Sequence, residues 1–235
     1  MPSVQDVQEL YDAGAHFALP RARRHPSAAP YLFGTRDRTD IFDLEETRKR
    51  LEAACAFVGA LSGAGKQILF VGGKPEAQAA IEGAAGRSGE PYVAGRWIGG
   101  TLTNFKNIRK RVERMQDFER QRESGELEKY TKRERLMIDR EIEELRNRFG
   151  GLDGMADLPG ALFVIDSRHE HTAVEEANQL GIPVVALASS DCDFAKIQYP
   201  VPGNDTSVRS IRFVVDAIVD AIQEGKKAHP APAQK

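Results

Sequence analysis

The chain has 235 residues, of which 41% are hydrophobic and 29% are charged. This composition is typical of a folded, soluble protein whose core needs no disulfides or metals, and it excludes an intrinsically disordered chain. No apolar run approaches the roughly 18 residues that a membrane span requires, and the polar first ten residues do not resemble a secretion signal. Cys55 and Cys192 stand too far apart in sequence to predict a disulfide framework or a zinc cluster. We therefore expect a cytoplasmic protein.

The formal net charge of −2 is unevenly distributed along the chain. Residues 101–150 contain 14 basic and 11 acidic residues, whereas residues 151–220 contain 4 basic and 11 acidic residues. A basic middle followed by an acidic segment predicts a polarised surface. The overall charge neither demands nor excludes a nucleic-acid partner.

The first 60 residues predict few regular elements. A short helix is expected at 4–11, and an extended loop with two prolines at 21–30. Short apolar pieces follow at 31–33 and 41–44. Residues 44–61 then carry apolar side chains at helical spacing and predict a long helix.

The rest of the chain outside residues 102–150 alternates strands with helices. Residues 67–71 form a continuous apolar run typical of a buried parallel strand, and Pro75 suits the first turn of the helix that follows. The further strands are expected at 91–93, 161–166, 183–187 and 199–202, and the further helices at 76–85, 170–180 and 207–223. This order predicts an α/β fold in which helices cover both faces of a mostly parallel sheet.

Residues 102–150 differ in character from their surroundings. Apolar residues recur at steps of three and four from Leu102 to Phe118 and from Ile138 to Phe149, with mostly charged residues between them. This pattern predicts an antiparallel hairpin of two long helices that project from the core and pack mainly on each other. We therefore divide the chain into a core of 1–101 and 151–224 with an N-terminal extension, an inserted hairpin of 102–150, and a flexible tail of 225–235.

Two motifs could serve a small molecule. Gly72-Gly73-Lys74 follows a strand and opens a helix, where backbone amides can hold an anion, but no GxGxxG pattern accompanies it. Asp166 ends a strand, and His169 and His171 follow. A turn or helix-capping role is favoured for Asp166 over a metal or acid–base role. Glu175 and Glu176, on the next helix, are expected to face water.

Basic residues are concentrated in the proline-bearing loop and at the start of the first hairpin helix. Arginines in a loop stabilise no predicted element, so RNA contact is the favoured interpretation there. On the helix, RNA contact and a solvated helix face are equally open interpretations.

The segment Arg96-Trp97-Ile98-Gly99-Gly100-Thr101-Leu102-Thr103-Asn104-Phe105 resembles the signature of a family, the bacterial small-subunit ribosomal protein two (S-two) family. The similarity runs in order over roughly residues 4–224 and is carried further by Gly14-Ala15-His16-Phe17, Leu162-Phe163-Val164-Ile165-Asp166, Gly181-Ile182-Pro183-Val184-Val185-Ala186 and Tyr199-Pro200-Val201-Pro202-Gly203-Asn204-Asp205. The chain departs from the family where Arg24-His25-Pro26-Ser27-Ala28 replaces Trp-Asn-Pro-Lys-Met. That loop loses an aromatic residue and a lysine and gains arginines.

The resemblance implies a Rossmann-like core with an inserted hairpin and a structural, RNA-binding role in the small ribosomal subunit, with no catalytic, cofactor or metal site. The implied partners are small-subunit ribosomal RNA and neighbouring small-subunit ribosomal proteins, including the large messenger-binding protein, with no membrane and no obligate homo-oligomer. The candidate RNA-binding residues are Arg21, Arg23, Arg24, Arg36, Arg38, Lys74, Arg96, Lys106, Arg109, Lys110 and Arg111.

Two other functions stay open at this stage. One is a small-molecule or nucleotide-binding enzyme on a doubly wound sheet, which would use Gly72-Gly73 and Asp166. The other is a protein-interaction module that uses the hairpin alone.

Overall fold

The computed structural model of the protein describes residues 7–228. The strands are β1 (Phe17–Pro20), β2 (Leu32–Arg36), β3 (Thr39–Phe42), β4 (Ile68–Val71), β5 (Tyr92–Val93), β6 (Ala161–Ile165), β7 (Val184–Ala188) and β8 (Tyr199–Pro202). The helices are α1 (Val7–Asp12), α2 (Leu44–Gly63), α3 (Pro75–Ser88), α4 (Phe105–Glu123), α5 (Lys132–Phe149), α6 (His171–Gln179) and α7 (Val208–Ala228).

The main sheet has five parallel strands in the order β5-β4-β6-β7-β8. The chain enters at β4, moves outward to β5, and then continues on the other side of β4 through β6, β7 and β8. This is a doubly wound order, in which the direction of winding reverses between β4 and β6. The predicted Rossmann-like α/β fold is confirmed.

Alternate side chains of the parallel strands enter two different core layers. Leu69 and Val71 of β4 pack in one layer with α6 and the base of the helical hairpin. Ile68 and Phe70 pack in the other layer with α2, α3 and α7. Both faces of the sheet are therefore buried, which explains why β4 and β6 are apolar at every position.

The helical hairpin of α4 and α5 is confirmed, and so is its apolar seam. Ile108, Val112 and Met115 of α4 are buried, as are Leu145 and Phe149 of α5. These five residues belong to the same buried cluster as one face of the sheet. The base of the hairpin is therefore part of the main core, in addition to the packing of the two helices on each other that the sequence predicted.

Residues 17–42 form a small antiparallel sheet that the sequence did not predict. Its order is β1-β3-β2, and the register shifts in both strand pairs. The turn between β2 and β3 places Asp37 and Arg38 at positive φ, 50° and 65°. The strands are too short and irregular to give a clear alternating pattern, which explains why they were expected to be loop and isolated apolar pieces.

The predicted bounds of the first helix and of the C-terminal tail differ from the structure or lie outside the residues it describes. The last helix extends to Ala228, so residues 225–228 are helical and the predicted tail begins too early. The remainder of that tail, 229–235, lies outside the described residues. The first helix is described from Val7, and the predicted start at residue 4 also lies outside them.

Candidate nucleic-acid interface

Three of the candidate arginines meet at one end of the small sheet. The backbone N–H of Arg21 donates to the carbonyl oxygen of Arg38 at 2.9 Å, and Arg36 pairs with Thr39 next to the same turn. All three arginine side chains are exposed. Arg36 forms an ion pair with its exposed neighbour Asp37, with Nε 3.7 Å from the carboxylate. An exposed pair of this kind contributes little to stability, so these cations are available to a partner.

The next two arginines have different surroundings. Arg23 is exposed and makes no ion pair with another described residue. Arg24 lies with its Nε 3.7 Å from Oδ2 of Asp40, which is fully buried. Asp40 also accepts a hydrogen bond from the Thr35 hydroxyl at 2.6 Å. Arg24 therefore neutralises a buried carboxylate as well as adding charge to the loop.

The candidates at the start of α4 also divide into two kinds. Lys106, Lys110 and Arg111 are exposed, with no ion pair to a described residue. Arg109 instead folds back, and its guanidinium donates to the carbonyl oxygens of Asp153 and Met155, at 3.2 Å each. Arg109 therefore fixes the hairpin to the segment that follows it.

Arg96 lies at the other side of the hairpin base, in a groove between the edge strand β5 and the end of α5. Its side chain is exposed, and Arg146 and Arg148 line the same groove. The structure thus places exposed cations at the small sheet, at the start of α4 and beside β5.

Lys74 differs from the other candidates because its ammonium group is used inside the protein. It contacts the carboxylates of Asp166 and Asp205, the latter at 3.2 Å. Burial lowers the pKa of Lys74, but these two carboxylates outweigh burial and hold the pKa above its ordinary value. The side chain is only 19% exposed, so Lys74 is an internal counter-ion, unlike the exposed cations among the candidates.

The crevice where a doubly wound sheet binds ligands is closed by the protein's own side chains. The reversal point between β4 and β6 places Gly73 opposite Glu170, and the Gly73 N–H donates to Oε1 of Glu170 at 2.9 Å. Glu170 is 3% exposed. A carboxylate of the chain therefore occupies the position at which a phosphate would accept from this turn.

Asp166, Cys192 and Asp205 place three possible metal-ligand atoms within 4.8 Å of one another. The ammonium of Lys74 already contacts both carboxylates. Burial, followed by the charge of Asp166, raises the pKa of the Cys192 thiol to about 12, so the thiol stays protonated. A protonated thiol and an internal cation are a poor fit to a metal ion.

Asp166 also caps the turn that follows β6, as the sequence predicted. Its Oδ1 accepts from the backbone N–H groups of Arg168 and His169, both at 3.0 Å. Its φ of 64° lies in the left-handed region, which Asp tolerates better than most residues.

Glu176 is a residue whose importance the sequence analysis missed. It was expected to face water, but it is 7% exposed and accepts hydrogen bonds from the signature segment, from Trp97, Gly100, Leu102 and Thr103. The expectation was wrong. Glu176 follows the buried Ala173 by three residues, and this helical spacing places it on the buried face of α6.

These features define a doubly wound α/β protein whose ligand crevice is filled from within and whose exposed cations lie on the small sheet and at the hairpin base. None of its described helices has the length and apolarity needed to cross a membrane.

Comparison with known proteins identifies the family. The family described as Ribosomal protein S2 matches residues 10–225. The chain is 43% identical to the small ribosomal subunit protein uS2 of Chloroflexus aurantiacus (strain ATCC 29366 / DSM 635 / J-10-fl), over 97% of this chain and 95% of that protein. It is 46% identical to the protein of the same name from Roseiflexus sp. (strain RS-1), over 94% and 84%. The chain belongs to the ribosomal protein S2 family, and the resemblance found at residues 96–105 is confirmed.

Proposed function

We infer that this protein is a structural constituent of the small ribosomal subunit, and we propose that ribosomal RNA binds its exposed cations. The observation that carries the proposal is the exposure of basic side chains at separate places on a chain of net charge −2. The proposed RNA-contacting residues are Arg21, Arg23, Arg36, Arg38, Arg96, Lys106, Lys110 and Arg111.

Arg24 and Arg109 are proposed to support these contacts rather than to make most of them. Arg24 is paired with the buried Asp40, and Arg109 is bonded to two backbone carbonyls. Each side chain has donors left over, because a guanidinium carries five N–H groups. We expect their loss to disturb the fold as well as RNA binding.

The proposed contacts are to RNA phosphates and fix position without reading sequence. Arginine and lysine on the outside of a structured RNA bind mainly to the backbone, since the deep groove of an RNA helix hides the base edges. Binding of this kind weakens as salt concentration rises. Most of the acidic segment of 151–220 would face away from the RNA, apart from the part around its basic residues Arg168 and Lys196.

We propose that the protein has no enzymatic activity and no cofactor. The alternative, a nucleotide-binding enzyme, would need the turn at Gly73, and the Glu170 carboxylate already accepts from that turn. A second negative group brought there would be repelled by Glu170. The position of this side chain therefore favours a structural role over the alternative.

We propose the apolar groove beside α1 as the docking surface for the large messenger-binding protein that the family resemblance implies. Phe33, Tyr11 and Phe17 line it and are 80%, 55% and 53% exposed. Asp37 and Asp43 also line it, with Glu45 and the single cation Arg36. The carboxylates of this groove repel RNA phosphates, so the groove suits an apolar protein segment that carries basic residues. The variant Phe33→Asp should release this neighbour in pull-downs, whereas Leu158→Asp, at another exposed apolar position, should retain it.

The remaining features follow from the proposed assembly. A ribosomal constituent of this kind acts in the cytoplasm, and its stoichiometry is set by the subunit, so we propose no obligate homo-oligomer.

The experiment that tests the function is sedimentation of a cell lysate on a sucrose gradient, with each fraction probed for this protein. We expect the protein to migrate with the small subunit. Migration only as free protein near 26 kDa would overturn the assignment.

A charge-reversal variant then tests the sites. Changing Arg23, Arg38, Lys106 and Lys110 to Glu should release the protein, because all four are exposed and none is ion-paired with a described residue. Reversal of Arg209 and Arg212, exposed on α7, is the control and should leave the protein bound. Normal occupancy of washed subunits by the fourfold variant would reject these sites.

A further inference from the structure

A groove of about 500 Å³ lies between the loop of residues 21–30, here called the arginine loop, and the carboxyl ends of β6 and β7. On one side it is lined by Arg23 and Arg24, and on the other by Arg168 and Lys196. We call these four residues and the space between them the cation groove. It is separate from the crevice between β4 and β6, which Glu170 closes.

The cation groove gathers basic side chains even though most of its lining belongs to the acidic part of the chain. Its lining contains four cations and two carboxylates, Asp191 and Asp193, besides two histidines. Lys196 is also paired with Glu175 at 3.3 Å and Arg24 with Asp40 at 3.7 Å, and each of these cations has further donors for a ligand. Residues 151–220 contain four basic residues in all, and two of them, Arg168 and Lys196, line this groove. Cations gathered at one place in an acidic segment favour an anionic ligand.

The two carboxylates orient the surrounding groups. Asp191 is 12% exposed and accepts from the Arg168 guanidinium at 2.7 Å, which holds Arg168 in place and leaves its other donors free. Asp193 caps a short turn by accepting from the N–H of Ala195 at 3.1 Å. Both carboxylates therefore fix the walls of the groove and do not fill it.

The arginine loop is held against the sheet, so the two walls are already in place. The N–H of His25 donates to the carbonyl oxygen of Ser190 at 2.7 Å. From the other side, the N–H of Phe194 donates to the Ser27 hydroxyl at 2.9 Å. A site assembled before the ligand arrives loses less conformational entropy on binding.

We propose that the cation groove binds a phosphate group, held by Arg23 from one wall and by Arg168 and Lys196 from the other. Guanidinium groups match the oxygens of a phosphate in pairs, and two opposed walls suit a tetrahedral anion. The phosphate is that of ribosomal RNA, an assignment that rests on the proposed function. Arg23 belongs to the same exposed loop as Arg21, so an RNA strand crossing the end of the small sheet would continue into this groove.

The test compares two double variants that remove the same charge. Arg168→Ala with Lys196→Ala changes the groove, whereas Arg209→Ala with Arg212→Ala removes two exposed cations of the same acidic segment on α7. Binding to small subunits stripped of this protein is measured over a range of KCl concentrations. The groove variant should bind roughly tenfold more weakly at physiological salt. The slope of its log binding constant against log salt concentration should be smaller by about one, and the control should match the wild type.

Arg23→Ala provides a second variant whose fold is not in question, since Arg23 is exposed and makes no ion pair with another described residue. Inorganic phosphate titrated into the free protein, followed by the amide NMR shifts of Ser167 and Arg168, separates the two sources of phosphate. One outcome would assign the site to a free phosphate-bearing ligand instead of RNA. In that outcome phosphate shifts the amide signals of the wild type but not those of the groove variant, while the salt dependence of subunit binding is the same for both proteins.

Unchanged subunit binding in both groove variants together with no phosphate-induced shifts would overturn the proposal while leaving the proposed function intact. The groove variants could instead lose a neighbouring protein while they bind RNA normally and phosphate causes no NMR shifts. That result would assign the groove to an acidic protein and would also overturn the proposal. Failure of the wild type to bind stripped subunits would instead reject the proposed function, and RNA with it as the source of the phosphate.

Discussion

The carboxylate of Glu176 accepts a hydrogen bond from the indole nitrogen of Trp97 at 3.0 Å. The same carboxylate accepts from the backbone N–H groups of Gly100, Leu102 and Thr103 at 2.8, 2.9 and 3.0 Å. Burial raises the pKa of Glu176, but these hydrogen bonds outweigh it and hold the pKa below its ordinary value. One ionised side chain of α6 thus fixes the segment that leads into the hairpin. These hydrogen bonds explain why the segment is ordered although it is rich in glycine and threonine.

The first prediction concerns this carboxylate. Glu176→Gln places an NH₂ group among N–H donors and should lower the free energy of unfolding by about 3 kcal/mol, because several buried donors lose an acceptor. Urea unfolding measures the loss, and hydrogen exchange at Gly100, Leu102 and Thr103 shows where it occurs. Glu175→Gln is the matched control, since Glu175 is exposed and pairs with Lys196 at the surface.

The control should change stability by less than about 0.5 kcal/mol. Equal effects from the two variants, or unchanged exchange at the three amides, would contradict the role given to Glu176.

The sequence predicted the main sheet well because its three central strands are continuous apolar runs, at Ile68–Val71, Ala161–Ile165 and Val184–Ala188. The hairpin was equally clear, since its seam repeats at helical spacing over many turns. What sequence could not show is which side chains meet across the fold. Lys74 has the type and position of an RNA-binding residue, and the approach of Asp166 and of Asp205, the latter 131 residues later, makes it an internal counter-ion.

The candidate interface was predictable to the same limited degree. Charge density identified the arginine loop and the start of α4, because exposed cations are visible as runs. It could not separate Lys110 from Arg109, whose guanidinium is bonded to backbone carbonyls 44 and 46 residues away. Contacts over such separations leave no local pattern in the sequence.

The second prediction concerns the pH dependence of stability. Burial and the charge of Asp166 raise the pKa of Asp205 to about 7 in the folded protein, against an ordinary value of 3.8. The unfolded chain loses this proton near pH 4, whereas the folded protein holds it until about pH 7. The contribution of Asp205 to the free energy of unfolding is therefore fully present below pH 4, and it falls as the pH rises from about 4 to about 7.

The variant Asp205→Asn removes this titration. Relative to the wild type it should gain about 2 kcal/mol in the free energy of unfolding between pH 5 and pH 8. The lost contact with Lys74 adds an offset, so the change with pH is the quantity to measure, by urea unfolding at several pH values. Asp220→Asn, at an exposed carboxylate on α7, is the control. A gap between wild type and Asp205→Asn that stays constant with pH would refute the prediction.

The third prediction concerns the crossing of α2 and α7. Gly225 of α7 lies so close to Gly59 of α2 that a Cβ at position 225 would overlap the carbonyl group of Gly59. Neither backbone can move without shifting a helix, because Cys55 and Val58 on one side and Ile222 on the other are buried in the same core layer. Gly225→Ala should therefore lower the free energy of unfolding by about 2 kcal/mol, despite the higher helix propensity of alanine.

Gly83→Ala is the control for helix propensity, because Gly83 lies inside α3 and a Cβ there would meet nothing within 4 Å. This variant should gain up to about 1 kcal/mol, since alanine restricts the unfolded chain and favours the helix. Thermal and urea unfolding of the two variants should thus shift in opposite directions. A stabilised Gly225→Ala protein would show that the two helices can separate freely, and the close approach would then be no constraint on the fold.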